Sequence, residues 1–158
     1  MIIKNQKYIL PMIAIMLLAG CTQNQTQMTN LEIIKSTYEG KNSEENGKNL
    51  QKHLSENVKW TEAAGFPYAG TYTGFEQIAE NVFSRLGSEW IDYKFIPEDY
   101  VASDDKVVAY GTYTGIFKKT NKPFTARVAH VWKLEQSKII SFEQFVDSKV
   151  VVDSMSED

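Results

Sequence analysis

The chain has one cysteine, Cys21, two histidines, His53 and His130, and two arginines, Arg85 and Arg127. A single thiol excludes an intrachain disulfide and any cysteine-built metal site. Neither histidine has acids at zinc-motif spacing, so no metal is expected, and nothing in the sequence requires an organic cofactor. No phosphate-cradling GxxxxGK, dinucleotide fingerprint or GxSxG elbow occurs. The repeated GTYTG, at 70–74 and 111–115, reads as turn or strand. Positive charge is scarce as well: 17 basic residues stand against 20 acidic ones, net −3. That balance argues against nucleic acid or an anionic bilayer surface as the main partner. Long apolar runs are missing with one exception, ILPMIAIMLLA at residues 9–19. Eleven residues are too few to span a bilayer comfortably.

What is present begins with that run. Lys4 and Lys7 precede it, and Leu18-Ala19-Gly20-Cys21 follows. This is the layout of a secretory signal peptide over residues 1–20, ending in a segment that resembles the bacterial lipobox. The expectation is a lipoprotein whose Cys21 carries acyl chains, palmitate among them. Burial of their methylenes in a bilayer would tether the chain to the membrane of the cell envelope, outside the cytoplasm. Loss of the two lysines would leave 15 basic and 20 acidic groups, net −5, on 138 residues. That length suits one domain with one core. Residues 21–30, polar and uncharged after the cysteine, read as a flexible tether.

Thr29-Asn30-Leu31-Glu32 has capping-box spacing. Leu31, Ile34 and Tyr38 then recur at helical spacing, with Gly40 as a stop. Ser43 followed by two acids suits a second short helix, in which Leu50 and Leu54 pack and Gly47 is a weak point. Val58 to Glu62 alternates like a strand, and AAGFPYAGTYTG reads as a connection. Phe75 to Leu86 has one apolar face, with Gly87 as its cap. Four long strands follow, Trp90–Ala102, Lys106–Lys118, Pro123–Glu135 and Lys138–Val146, joined by short polar turns. Pro97 marks an edge or a bulge, and Gly111 and Gly115 mark strong curvature. Residues 149–158 read as a frayed acidic tail.

Helices followed by a run of antiparallel strands make an α+β plan. The curved, mostly antiparallel sheet needs a cover, and three N-terminal amphipathic helices supply it over residues 31–148. A helix lying in a bent sheet leaves a conical space at one end, where a small molecule could sit.

Period-two geometry singles out FTARVAHVWKL, residues 124–134. His130 shares the apolar row with Val128 and Trp132, while Arg127 and Lys133 point away. An imidazole there either takes part in chemistry or is a structural group satisfied by Tyr, Glu or backbone. On the last strand, Ile140, Phe142, Gln144 and Val146 share one face, and Glu143 and Asp147 the other. The inward group is then an amide, able to orient a ligand but unable to exchange a proton. Glu62, among Trp60, Phe66 and Tyr68, is either a carboxylate whose proton affinity rises in an apolar mouth or a solvated acid at a strand end.

The string WTEAAGFPYAGTYTGFEQI (60–78), with AHVWKL (129–134) and KIISFEQFVD (138–147), resembles SnoaL-like proteins. These belong to the nuclear-transport-factor-2-like (NTF2-like) superfamily, with ketosteroid isomerases, polyketide cyclases and limonene-epoxide hydrolases. The resemblance implies a cone-shaped barrel, often dimeric through its sheet, with a pocket between helices and sheet. In ketosteroid isomerases the general base is an aspartate after the first short strand, and Glu62-Ala63-Ala64-Gly65 falls in the matching place. That family keeps an oxyanion-hole tyrosine where Tyr38 lies, although Tyr68, Tyr72, Tyr110 and Tyr113 are equally available. Polyketide cyclases place a cavity histidine on a strand comparable to that of His130, and an acid where Gln144 stands. The epoxide-hydrolase Asp-Arg-Asp set finds no match around Arg85 or Arg127.

The expectation is a pocket for a small hydrophobic organic ligand. Glu62 and His130 are the catalytic candidates, and Trp60, Phe66, Tyr68, Trp132 and Gln144 the ligand-contacting ones. Proton transfer of isomerase or cyclase type is one reading. A ligand binder without turnover, or an envelope docking or dimerisation module, is the other.

Overall fold

The computed structural model describes residues 28–157. The signal segment, Cys21 and most of the tether lie outside them. Helix α1 (Asn30–Ser36) starts at the expected capping box, with Thr29 and Glu32 each satisfying the other's backbone N–H. Helix α2 (Ser43–His53) is capped by the Asn42 side chain, one residue before the expected serine. Strand β1 (Leu54–Glu62) begins four residues earlier than its alternation suggested. The glycine-rich connection holds a short strand, β2 (Gly70–Thr73), paired antiparallel to β1.

The expected third helix is longer and less regular. It runs as α3 (Gly74–Ile78), a π-helical turn (Ala79–Phe83) and α4 (Ser84–Glu89). Ile78 and Val82 are buried, Phe75 is exposed, and Gly87 lies inside α4 rather than capping it. Among the described residues no helix is long and apolar enough to cross a membrane.

Strands β3 (Trp90–Ala102), β4 (Lys106–Phe117), β5 (Lys122–Glu135) and β6 (Lys138–Val146) follow within a residue of the expected bounds. The sheet order is β2-β1-β6-β5-β4-β3. Every pairing is antiparallel except β1 with β6, which is parallel and sets Trp60 beside Phe142.

Curvature comes from β3. It bulges between Ile91 and Lys94 and again between Pro97 and Asp99. Gly111 lies opposite the second bulge, where a Cβ would sit 2.1 Å from the Ile96 carbonyl oxygen, so only glycine lets the strands approach. Gly115, paired with Phe124, leaves room for the Phe124 ring, which a Cβ there would approach to 3.0 Å. Strand β6 also has a register shift near its start, which turns Ile139 inward where Ile140 was expected. Beyond it, Phe142 and Gln144 keep the expected inward parity.

The acidic tail is corrected: residues 148–155 form helix α5 (Ser148–Met155). Val151 is fully buried against Phe66, Tyr68, Trp90 and Phe124, and the Thr120 hydroxyl donates to the Ser154 carbonyl. Three consecutive β-branched valines disfavour helix intrinsically, and packing overrides that preference. The core therefore has two apolar clusters. One lies under α1 to α3 around Trp60 and Trp132; the other lies under α5 around Tyr68 and Trp90.

Candidate functional site

A cavity of about 160 Å³ lies between the two clusters. Strand β1 brings Trp60 and Glu62 to its wall, because residues two apart share a strand face. The same geometry lets the Trp60 indole N–H donate to Glu62 Oε1 at 2.7 Å. Glu62 is 4 % exposed, and its Oε2 has no hydrogen-bond partner. Burial pushes its carboxyl up to about 7, against the opposing pull of the Trp60 N–H. Near neutral pH this group exists in both forms, as a general acid or base requires.

Two strands away in the same sheet, His130 is buried at 3 % exposure and paired with Gln144 of the strand between. Its Nδ1 lies 2.7 Å from the Tyr38 hydroxyl and its Nε2 2.5 Å from the Tyr113 hydroxyl. Burial drives the imidazole down to about 3, so it is neutral at ordinary pH. The Tyr113 hydroxyl also accepts from Gln144 Nε2 at 3.2 Å, and Gln144 Oε1 accepts from the Ala63 N–H at 3.2 Å. Hydrogen bonds thus run from Tyr38 through His130, Tyr113 and Gln144 to the residue beside Glu62.

Counting protons shows what this network offers. A neutral imidazole carries one N–H, and the two tyrosines carry one O–H each. Two contacts to the ring use two of these protons. If Tyr113 donates to Nε2, then Nδ1–H donates to Tyr38, and the Tyr38 proton is left over. In the other tautomer the Tyr113 proton is left over. Both tyrosines line the cavity, so either way one O–H of the set is left without an acceptor on the ring. Burial pushes both phenols far above their ordinary range, so they stay protonated.

The structure gathers Glu62, His130, Trp60, Phe66, Trp132 and Gln144 around one cavity. Phe66 reaches it by a tight turn in which its N–H bonds the Ala63 carbonyl and Gly65 adopts φ 83°. Tyr68 is corrected: it is buried outside the cavity wall. Its hydroxyl accepts from the Trp90 indole and donates to Glu89, and Arg85 lies over its ring. The turn that aims Phe66 inward sends Tyr68 into the α5 cluster.

Glu143 and Asp147 are exposed on the opposite side, so Glu62 is the one carboxylate at the cavity wall among the described residues. Arg127 pairs with Glu98 and Arg85 with Glu89, both outside the cavity wall. No group of three or more metal-ligating side chains occurs among the described residues.

Sequence reasoning missed Tyr93 and Phe95. Both line the cavity from β3, and the Tyr93 hydroxyl is buried against that of Tyr113. The signal was hidden because Tyr93 follows Asp92, whose φ of 51° breaks the strand's alternation inside the bulge.

The two shifted groups set opposite pH dependences. Glu62 rises from its ordinary 4.5 to about 7, so its contribution to stability is complete below pH 4.5 and is lost as pH rises through 7. His130 falls from 6.5 to about 3, so its contribution is complete above pH 6.5 and is lost as pH falls towards 3. Between pH 4.5 and 6.5 the two slopes cancel. Glu62→Gln removes the first of them. Relative to wild type, the variant should gain up to about 3 kcal/mol on passing from acid to neutral pH. Urea unfolding of both proteins below pH 4.5 and above pH 7 measures this; a difference that does not change with pH would contradict it.

Comparison with known proteins agrees with this fold. The family profile described as SnoaL-like domain matches residues 38–142. An NTF2-like protein from Burkholderia thailandensis superposes with TM-score 0.78 and 37 % identity, covering 83 % of this chain and 100 % of that one. TerC, solved with polyporic acid, superposes at 0.70 with 19 % identity over 81 % of this chain and 98 % of its own. A Catenulispora acidiphila protein of ketosteroid-isomerase-like fold, solved with trimethylamine, does so at 0.65 with 20 % identity over 82 % and 96 %. The last two likenesses concern the fold alone. No curated protein matches the sequence. The profile match, the 37 % identity and the shared helix-covered curved sheet make this chain a member of the SnoaL-like family within the NTF2-like superfamily.

Proposed function

We propose that this domain binds a small, uncharged organic carbonyl compound and moves a proton on it. The observation that carries the reading is Glu62 Oε2, a buried carboxylate oxygen with no partner in a cavity lined mainly by aromatic and aliphatic side chains. Such an atom costs stability unless a guest satisfies it. In the ionised form Oε2 accepts a proton from carbon next to the carbonyl. The C–H electron pair moves into the new C=C bond, and the carbonyl oxygen takes up the negative charge as an enolate. The spare hydroxyl proton of the Tyr38–His130–Tyr113 set donates to that oxygen. Protonated Glu62 then returns the proton at the same or a conjugated carbon, so the step closes without a cofactor. His130 acts through the two tyrosines as a positioning residue, and Gln144 holds Tyr113 and the Ala63 N–H.

The second reading is a binder without turnover. It is favoured by Gln144, an amide where cyclases carry an acid, and by two structural neighbours solved with small organic molecules. Glu62→Gln separates the two. It should lower turnover of an enolisable ketone by about 100-fold or more while ligand still raises the melting temperature. Undiminished turnover in the variant would refute the base assignment. Ligand-induced stabilisation with no product from wild type would select the binder.

We also propose that Cys21 anchors the domain to a membrane of the cell envelope, supported by the LAGC segment after an apolar run. Cys21→Ser should release the protein from the membrane fraction and abolish palmitate labelling. Continued labelling of that variant would reject the anchor.

A further inference from the structure

We infer that Tyr93 is a specificity-determining residue that limits the cavity's guest to a single six-membered ring. The inference rests on the cavity being the ligand site, as proposed above, but not on turnover. Its volume of about 160 Å³ is the first observation. A buried apolar cavity of about 150 Å³ accommodates benzene, so a fused second ring has no room without displacing a wall.

The wall that decides this is Tyr93. Two surface grooves flank the cavity. One, of about 370 Å³, is bordered by Phe83, Leu86 and Trp90. The other, of about 440 Å³, is bordered by Tyr38, Asn46 and Phe95. Tyr93 borders the cavity and both grooves, so its ring is the partition between interior and surface on that side. The β3 bulge and the left-handed Asp92 aim it there. Tyr113 at 5.1 Å and Trp90 at 5.8 Å between ring centroids hold it in place. Its buried hydroxyl lies against that of Tyr113, so towards a guest the ring presents volume rather than a free polar contact.

The remaining wall fixes the rest of the ligand's chemistry. Phe95, Trp60, Trp132 and Phe142 present aromatic surface suited to a flat ring. Glu62 is the only charged side chain there, and no cation lines the cavity, so an anionic guest is disfavoured. One acceptor at Glu62 Oε2 and one spare hydroxyl proton in the Tyr38–His130–Tyr113 set call for one oxygen function on the ring.

Phenol and 2-naphthol test this, since they share that hydroxyl and differ by one fused ring. Calorimetric titration of the intact wild-type protein should show phenol binding and 2-naphthol weaker by roughly tenfold or more. Tyr93→Ala should recover 2-naphthol binding by roughly the same factor, whereas Tyr93→Phe should keep the discrimination. Tyr93→Leu reads the same effect if the alanine variant does not fold. Wild type that binds both probes equally, or neither, overturns the inference. So does a small side chain at position 93 that leaves the preference unchanged. Failure of catalysis with this pattern intact would overturn only the proton-transfer reading.

Discussion

Glu62 carries a carboxylate into a wall of aromatic rings, and only one of its oxygens finds a donor. The rest of the site follows from how the fold tolerates that group. Burial raises the carboxyl until protonation near neutral pH relieves the charge, and the Trp60 indole, stacked on Phe142 at 3.8 Å, steadies one oxygen. The N–H of the next residue, Ala63, is taken by Gln144. An acid at position 144 would set a second negative charge beside Glu62, and the two would titrate as a coupled pair. The amide keeps Glu62 as the single ionisable acid of the cavity wall.

The second constraint is that the facing polar groups must be satisfied without charge. His130 could not carry a proton in this surrounding without a counter-charge, and burial keeps it neutral. Two tyrosines bracket it, and the shortage of acceptors among them leaves a hydroxyl proton for the cavity. One network thus does two things. It completes the hydrogen bonding of a buried imidazole, and it presents an uncharged donor opposite the carboxylate. The alternatives posed from sequence for His130, structural group or chemical participant, are therefore not exclusive.

Much of this was legible because strand parity is strict. The inward positions of His130, Trp132 and Gln144, and the outward ones of Glu143 and Asp147, follow from a period of two on unbroken stretches of β5 and β6. The capping box at Thr29 and Glu32 is equally local. What escaped lies where one residue shifts the count. The β6 irregularity exchanges Ile139 for Ile140, and the β3 bulge turns Tyr93 into the cavity. Helix α5 escaped because three valines disguise it and only packing on Phe66 and Trp90 forms it. Tyr68 escaped because a turn at Gly65, not a period, decides which aromatic ring faces the cavity. The family resemblance located Glu62 and the fold, while the tyrosine pair around His130 needed the coordinates.

The SnoaL-like scaffold hosts varied chemistry, so the function of this chain is decided by the protonation of a few buried groups. The proposed proton transfer requires a Glu62 carboxyl that exchanges its proton near neutrality. A carbon-13 NMR titration of the Glu62 side-chain carboxyl measures this without any substrate. The midpoint should lie near the value of about 7 that burial imposes; a midpoint at the ordinary 4.5 would mean that the carboxylate is solvated rather than buried in the cavity wall, which contradicts the account.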